Sequence, residues 1–202
     1  MLLAVLFLAL FGIPCAAQPE ELVSAAINRN LMDNTELLIS QDKIKQKIAE
    51  VARILDEEYQ GEELTIVLVM KGALCVAADL IRELKTPCVI EYISARSYGQ
   101  RGTQRGELEI LGMEDLDLSA KNVLLVDDIF DSGQTISKIF AGFKRKKPKS
   151  LKSLVLLAKN GKRDVAYVPD YILFDIENEF VVGYGLDYKE LYRGLPGIYI
   201  FK

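Results

Sequence analysis

From residue 65 to residue 174 short apolar runs alternate with stretches whose apolar residues recur at helical spacing, and that alternation leaves few folds open. Residues 65–70, 89–95, 123–126, 154–158 and 171–174 are predominantly apolar, brief and bounded by turn residues, which predicts buried strands. Between them, residues 73–84 and 135–146 read as helices. Upstream, Ile44, Ile48, Val51, Ala52 and Leu55 mark an amphipathic helix capped by Ser40 and ending near Gly61. Strands without a polar face need helices on both sides, so the pattern predicts an α/β domain with a parallel sheet and right-handed crossovers. Residues 97–112 break the pattern: rich in Gly, Gln and Arg, they predict a mobile excursion or loose hairpin of the kind that covers active sites.

Composition removes whole classes of chemistry. Histidine is absent and the three cysteines, Cys15, Cys75 and Cys88, are scattered. Neither a zinc-ligand spacing nor a Ser-His or Cys-His nucleophile pair can be assembled. Cys75 and Cys88 fall in apolar stretches and read as buried thiols, not a disulfide frame. With 25 basic and 29 acidic side chains the net charge is -4, so no overall basic field draws the chain to nucleic acid or anionic lipid. The lysines and arginines of 144–152 read as a solvated helix end, where cations complement the dipole. Residues 1–13 are apolar except for Gly12 and run into Pro14-Cys15-Ala16-Ala17, like a signal h-region with its cleavage site. No Lys or Arg precedes that run, and Met32 offers a second start. The expectation is a leader-like segment over 1–31 and one domain over 32–202.

The most informative stretch is 123–135, where an apolar strand runs into Asp127 and Asp128 and then Asp131-Ser132-Gly133-Gln134-Thr135 opens a helix. Such a small-residue turn aims backbone N–H groups and two hydroxyls at one point, which holds a phosphate monoester without a lysine. The paired acids suit ribose hydroxyls or Mg²⁺. A G-x-x-x-x-G-K-[ST] loop and a strand-linked G-x-G-x-x-G are both missing, so NTPase and dinucleotide readings fall away.

This stretch resembles the phosphoribosyl-diphosphate (PRPP) signature of type I phosphoribosyltransferases. Further segments extend the likeness to the hypoxanthine-guanine phosphoribosyltransferases across roughly residues 37–202: Val69-Met70-Lys71-Gly72, Ser97-Tyr98-Gly99, Lys159, and Phe180 to Tyr188 followed by Arg193. The resemblance implies a parallel sheet with a small hood from the N- and C-terminal segments and a mobile lid opened by Ser97 and Tyr98. It implies 5′-phosphate binding by Ser132, Gly133, Gln134 and Thr135, a pyrophosphate loop at Lys71 and Gly72, and PRPP or nucleotide binding at Arg193. It also implies a cis peptide between Met70 and Lys71. Asp127 and Asp128 are implied at the ribose hydroxyls or Mg²⁺, and Asp187 at a second Mg²⁺ near the purine. Asp131 is the implied general base beside N7, Lys159 the donor to O6, Phe180 the stacking ring and the Val181 carbonyl the acceptor for a 2-amino group. Two positions depart from the pattern: Gln134 stands where a basic residue is common, and Lys162-Arg163 aligns with no single pyrophosphate contact.

The implied reaction transfers ribose 5-phosphate to hypoxanthine or guanine in purine salvage, with magnesium as cofactor, in a cytoplasmic homodimer or homotetramer that binds neither nucleic acid nor membrane. Two alternatives of other classes are a nucleotide sensor that keeps the pocket without turnover and a secreted protein led by residues 1–17. Retention of Asp131, Ser97 and Tyr98 speaks against the first, and the cytosolic location of PRPP against the second.

Overall fold

A computed structural model describes residues 35–98, 107–161 and 165–202; the leader-like segment, the tip of the polar loop and Lys162-Arg163 lie outside the described residues. Ser40 caps the first helix, its hydroxyl accepting from the Lys43 amide, and α1 (Gln41–Glu58) buries the five apolar residues its periodicity picked out. The strands β2 (Leu64–Met70), β3 (Cys88–Tyr98), β4 (Glu107–Leu111), β5 (Asn122–Phe130), β6 (Ser150–Lys159) and β7 (Tyr171–Ile176) form one sheet in the order β4-β3-β2-β5-β6-β7. Every pairing is parallel except β3 with β4. The polar segment is therefore a hairpin in its described part, joining Ser94–Tyr98 to Glu107–Leu111.

Side chains of β2 divide between two cores, as alternation along a strand requires. Leu64, Ile66 and Leu68 pack with Ile44, Ile48 and Leu55 of α1 and with Val76 and Leu80 of α2 (Leu74–Glu83). Val67 and Val69 pack on the other face with Ile136, Ile139 and Phe143 of α3 (Gln134–Arg145). Each fully buried Leu or Ile of this kind contributes about 1.5–3 kcal/mol. A second, three-stranded sheet, β1-β9-β8, combines β1 (Thr35–Ile39), β8 (Val181–Val182) and β9 (Ile198–Phe201) into the small hood that the resemblance implied.

Three expectations change. Strand β5 continues to Phe130, so Asp127 and Asp128 belong to the strand instead of following it; Asp127 pairs with Val155 in the ladder, whose backbone bonds are indifferent to side-chain polarity. Strand β6 likewise takes in Lys159 as its last residue. Cys75 and Cys88 are free thiols but only half-buried: the Cys75 Sγ donates to the Arg193 carbonyl at 3.7 Å, and Cys88 opens its strand.

Candidate active site

Strands β2 and β5 are neighbours, yet the chain proceeds from β2 outward to β3 on one side and from β5 to β6 on the other. A parallel sheet opens a crevice at such a reversal, beyond the carboxyl ends of the strands. There a cleft of about 240 Å³ is lined by Met70, Lys71, Gly72, Asp127, Asp128, Thr135, Asp187 and Arg193. The peptide between Met70 and Lys71 is cis.

Close backbone approach explains two glycines. A Cβ on Gly72 would lie 1.7 Å from Asp128 Oδ2, and one on Gly185 would lie 2.1 Å from the Gly72 carbonyl oxygen. Gly185 also has φ of +101°, a conformation that other residues rarely adopt. Three chain segments thus interlock with no room for a methyl group. Gly185→Ala is expected to push the Gly72 loop out of place and weaken PRPP binding at least tenfold, while destabilising the fold by about 1–3 kcal/mol. Titration of PRPP together with thermal unfolding checks both parts.

Asp127 is buried, and its Oδ1 accepts from the Asp128 amide at 2.9 Å. Burial pushes its carboxyl well above the usual range, and the neighbouring Asp128 charge adds to this. Burial also raises Asp128, against the pull of its hydrogen bonds to Asp127 and to backbone amides and, less, of the Arg193 guanidinium. A carboxyl whose folded pKa is raised stabilises the fold fully below its unfolded pKa, about 3.9, and loses that contribution as pH rises through the folded value. Asp127→Asn keeps the acceptor and removes the charge. It is expected to raise the thermal midpoint of the ligand-free protein at pH 7.5, with the gain shrinking toward pH 4, and to lower activity. Equal midpoints of variant and parent at pH 7.5 would contradict the burial account.

Past Phe130 the chain turns sharply. Gly133 takes φ of +81°, and a Cβ there would meet Val165 and Phe130 within 2.8 Å. The Ser137 amide bonds the Gly133 carbonyl, so the N–H groups of the first turn of α3 point out of its N-terminal end. With the positive end of the helix dipole, this is an anion site built from backbone. Asp131 is exposed and Ser132 half-exposed on the same turn.

On the other wall Arg193 is held by three carboxylate or carbonyl oxygens. It donates to Asp187 Oδ1 at 2.7 Å, to the Gly185 carbonyl at 2.7 Å and to Glu190 Oε2 at 3.4 Å. Its Nε is buried and has no acceptor among the described residues. Lys71 Nζ meets the same Glu190 oxygen at 2.7 Å, and Asp187 Oδ2 accepts from the Glu190 amide. Glu190 is the member of this group that sequence reading missed. It stands three residues after Asp187, but the turn that aims it depends on positive φ at Lys189, Glu190 and Tyr192, which no glycine announces. Behind this wall the Tyr184 hydroxyl donates to Asp79 of α2 at 2.6 Å, tying the 183–187 segment to the helix.

A second group of predicted residues follows the strand ends. Phe130 pairs with Ala158, and Asp131 and Lys159 each come directly after these last paired residues, at the carboxyl edge of the sheet. Lys159 is half-buried and has no ion pair among the described residues. Phe180 is not core: it is 51% exposed, with its ring edge-on to Tyr188 and Phe201 at 5.8 and 6.2 Å. The Phe201 amide bonds the Phe180 carbonyl, which makes Val181 the non-bonded position and turns its carbonyl away from β9. Ser97 and Tyr98 end β3, where their backbones pair with Leu108 and Glu107.

A larger cleft of about 610 Å³ opens at the amino ends of the strands, between α1 and the turn before β3. In its lining Arg53 pairs with Glu57, and Asp56 accepts from the Lys85 and Thr86 amides.

Residues 35–189 match the phosphoribosyl transferase domain model. The chain is 41% identical over 170 residues, 84% of its length, to the bifunctional protein TilS/HprT of Listeria innocua, of which it spans only 26%. It superposes on a crystal structure of a Bacillus anthracis hypoxanthine-guanine phosphoribosyltransferase with TM-score 0.76 and 40% identity, covering 83% of this chain and 98% of that one. A Trypanosoma cruzi hypoxanthine phosphoribosyltransferase in complex with the product IMP matches with TM-score 0.74 and 33% identity, over 82% and 93% of the two chains.

Proposed function

The chain belongs to the phosphoribosyl transferase family, among its hypoxanthine-guanine members, and we propose that it transfers ribose 5-phosphate from PRPP to N9 of hypoxanthine or guanine, forming IMP or GMP and pyrophosphate in purine salvage. The observation that supports this most is the convergence of Lys71, Gly72, Asp127, Asp128, Thr135, Asp187 and Arg193 on one cleft beside the N-terminus of α3.

In this reading the 132–135 amides hold the 5′-phosphate, and Asp127 and Asp128 orient the ribose. The Lys71-Gly72 loop and Arg193 take the pyrophosphate. The donor set suits magnesium. Asp127, Asp128 and Asp187 line the cleft with hard oxygens, but no three such side chains among the described residues gather closely enough to hold an ion alone. Mg²⁺ binds through one or two carboxylates plus substrate oxygens and waters, which matches such a sparse set. Bound there, it would neutralise charge developing on the departing pyrophosphate.

On the base side N7 and O6 share one edge of a 6-oxopurine. Asp131 and Lys159, which follow the paired residues Phe130 and Ala158, address that edge as proton acceptor and donor. The half-open face of Phe180 stacks on the ring, and the Val181 carbonyl accepts from the 2-amino group of guanine. Ser97 and Tyr98 belong to the lid that excludes water. The proposal places the enzyme in the cytoplasm as a homodimer or homotetramer, and the exposed Val89, Ile90 and Tyr92 of β3 suit a contact between copies. Among the described residues no helix is long and apolar enough to cross a membrane.

A pyrophosphate-release assay with PRPP, Mg²⁺ and each purine base in turn tests the reading. Release with hypoxanthine or guanine and little with adenine is expected. Efficient use of adenine contradicts it, and PRPP binding without release for any base marks a nucleotide sensor instead.

A further inference from the structure

Lys71 and Arg193 both line the cleft, yet each donates to the same Glu190 carboxylate oxygen, at 2.7 and 3.4 Å. One oxygen between two cations is the arrangement a phosphoryl oxygen would occupy. Glu190 is itself exposed, and its carboxyl is held below the usual range by the Lys71 ammonium and then by Arg193. Its backbone is fixed independently, through the amide that donates to Asp187 Oδ2 at 2.8 Å. The side chain can leave the two cations without disturbing the turn.

On the reading of the site given above, we infer that Glu190 is an internal counter-anion for the pyrophosphate subsite: its carboxylate occupies Lys71 and Arg193 in the free enzyme, gives them up when PRPP arrives, and competes for them again as pyrophosphate leaves. Glu190 therefore sets the affinity of the subsite without contacting the reacting atoms. It keeps two cations oriented while the cleft is empty, and it limits how tightly the leaving product is held. Removing the carboxylate frees both cations and takes one negative charge away from a polyanion, so binding tightens. For half-exposed pairs of this kind the effect is about three- to tenfold.

The test is calorimetric titration of the full chain and of Glu190→Gln and Glu190→Asp with sodium pyrophosphate in excess Mg²⁺, at about 50 mM and 500 mM salt. Glu190→Gln is expected to bind pyrophosphate three- to tenfold more tightly than the parent at low salt, with the difference shrinking at high salt as screening weakens the competing pairs. Glu190→Asp, which keeps the charge, stays closer to the parent than Glu190→Gln does. The KM for PRPP of Glu190→Gln falls by a similar factor. A Glu190→Gln that binds pyrophosphate no more tightly than a parent that does bind it overturns the inference and leaves the phosphoribosyl transfer reading intact. A parent that binds neither pyrophosphate nor PRPP overturns both.

Discussion

Asn in place of Asp131 is expected to lower kcat by about two to four orders of magnitude, the usual contribution of a positioned general base, while PRPP binds as before. Asn keeps the size and one acceptor of the carboxylate and loses only the ability to take up a proton. The position is well defined for this role. Phe130, the preceding residue, is 1% exposed and packs edge-on against Tyr167, so the backbone is anchored, while Asp131 itself is exposed. In the proposed reading, binding of PRPP depends instead on the amides that follow and on the opposite wall, which the substitution leaves in place. Single-turnover kinetics with saturating PRPP, alongside direct titration of PRPP, separates the two. An unchanged turnover rate with hypoxanthine removes Asp131 from the chemistry, and a parallel loss of PRPP affinity assigns it to the phosphate turn.

Lys159→Ala should reduce kcat/KM for hypoxanthine by about 10- to 150-fold, corresponding to about 1.5–3 kcal/mol for a hydrogen bond to a charged group. The ammonium sits half-buried at the end of β6 and has no carboxylate partner among the described residues, so its donors are available to a ligand. A 6-oxo group accepts from it; a 6-amino group presents another donor and meets repulsion. The variant therefore loses discrimination as well as rate: the ratio of hypoxanthine to adenine use falls, and the KM for PRPP holds. Equal losses for both bases would place Lys159 in a structural role.

Most of the large sheet was readable from pattern alone, because strands covered on both faces leave uninterrupted apolar runs such as 65–70 and 154–158. Their carboxyl ends were not. Asp127, Asp128 and Lys159 stay in the ladder although their side chains are polar, so hydropathy ends each strand too early at the edge where the site lies. The hood, which the resemblance implied, escaped the hydropathy pattern for a different reason. Its strands are two to five residues long and include exposed side chains such as Leu37, so no periodicity can build up. The phosphate turn was legible because small residues at a strand-to-helix junction have a direct physical use. Glu190 was not, since its role depends on two partners 119 and three residues away and on a turn built without glycine. Tyr184 was hidden in the same way; its bond to Asp79 spans 105 residues.

The account rests on transfer of one phosphoribosyl group from PRPP to a 6-oxopurine, and product stoichiometry tests that most directly. The full chain is incubated with PRPP, Mg²⁺ and hypoxanthine, and the mixture is resolved by chromatography with mass detection. The predicted result is one nucleoside 5′-monophosphate and one pyrophosphate for each hypoxanthine consumed, and no product when PRPP is omitted. Pyrophosphate or phosphate released without a matching nucleotide would make the protein a hydrolase of PRPP and contradict the central claim.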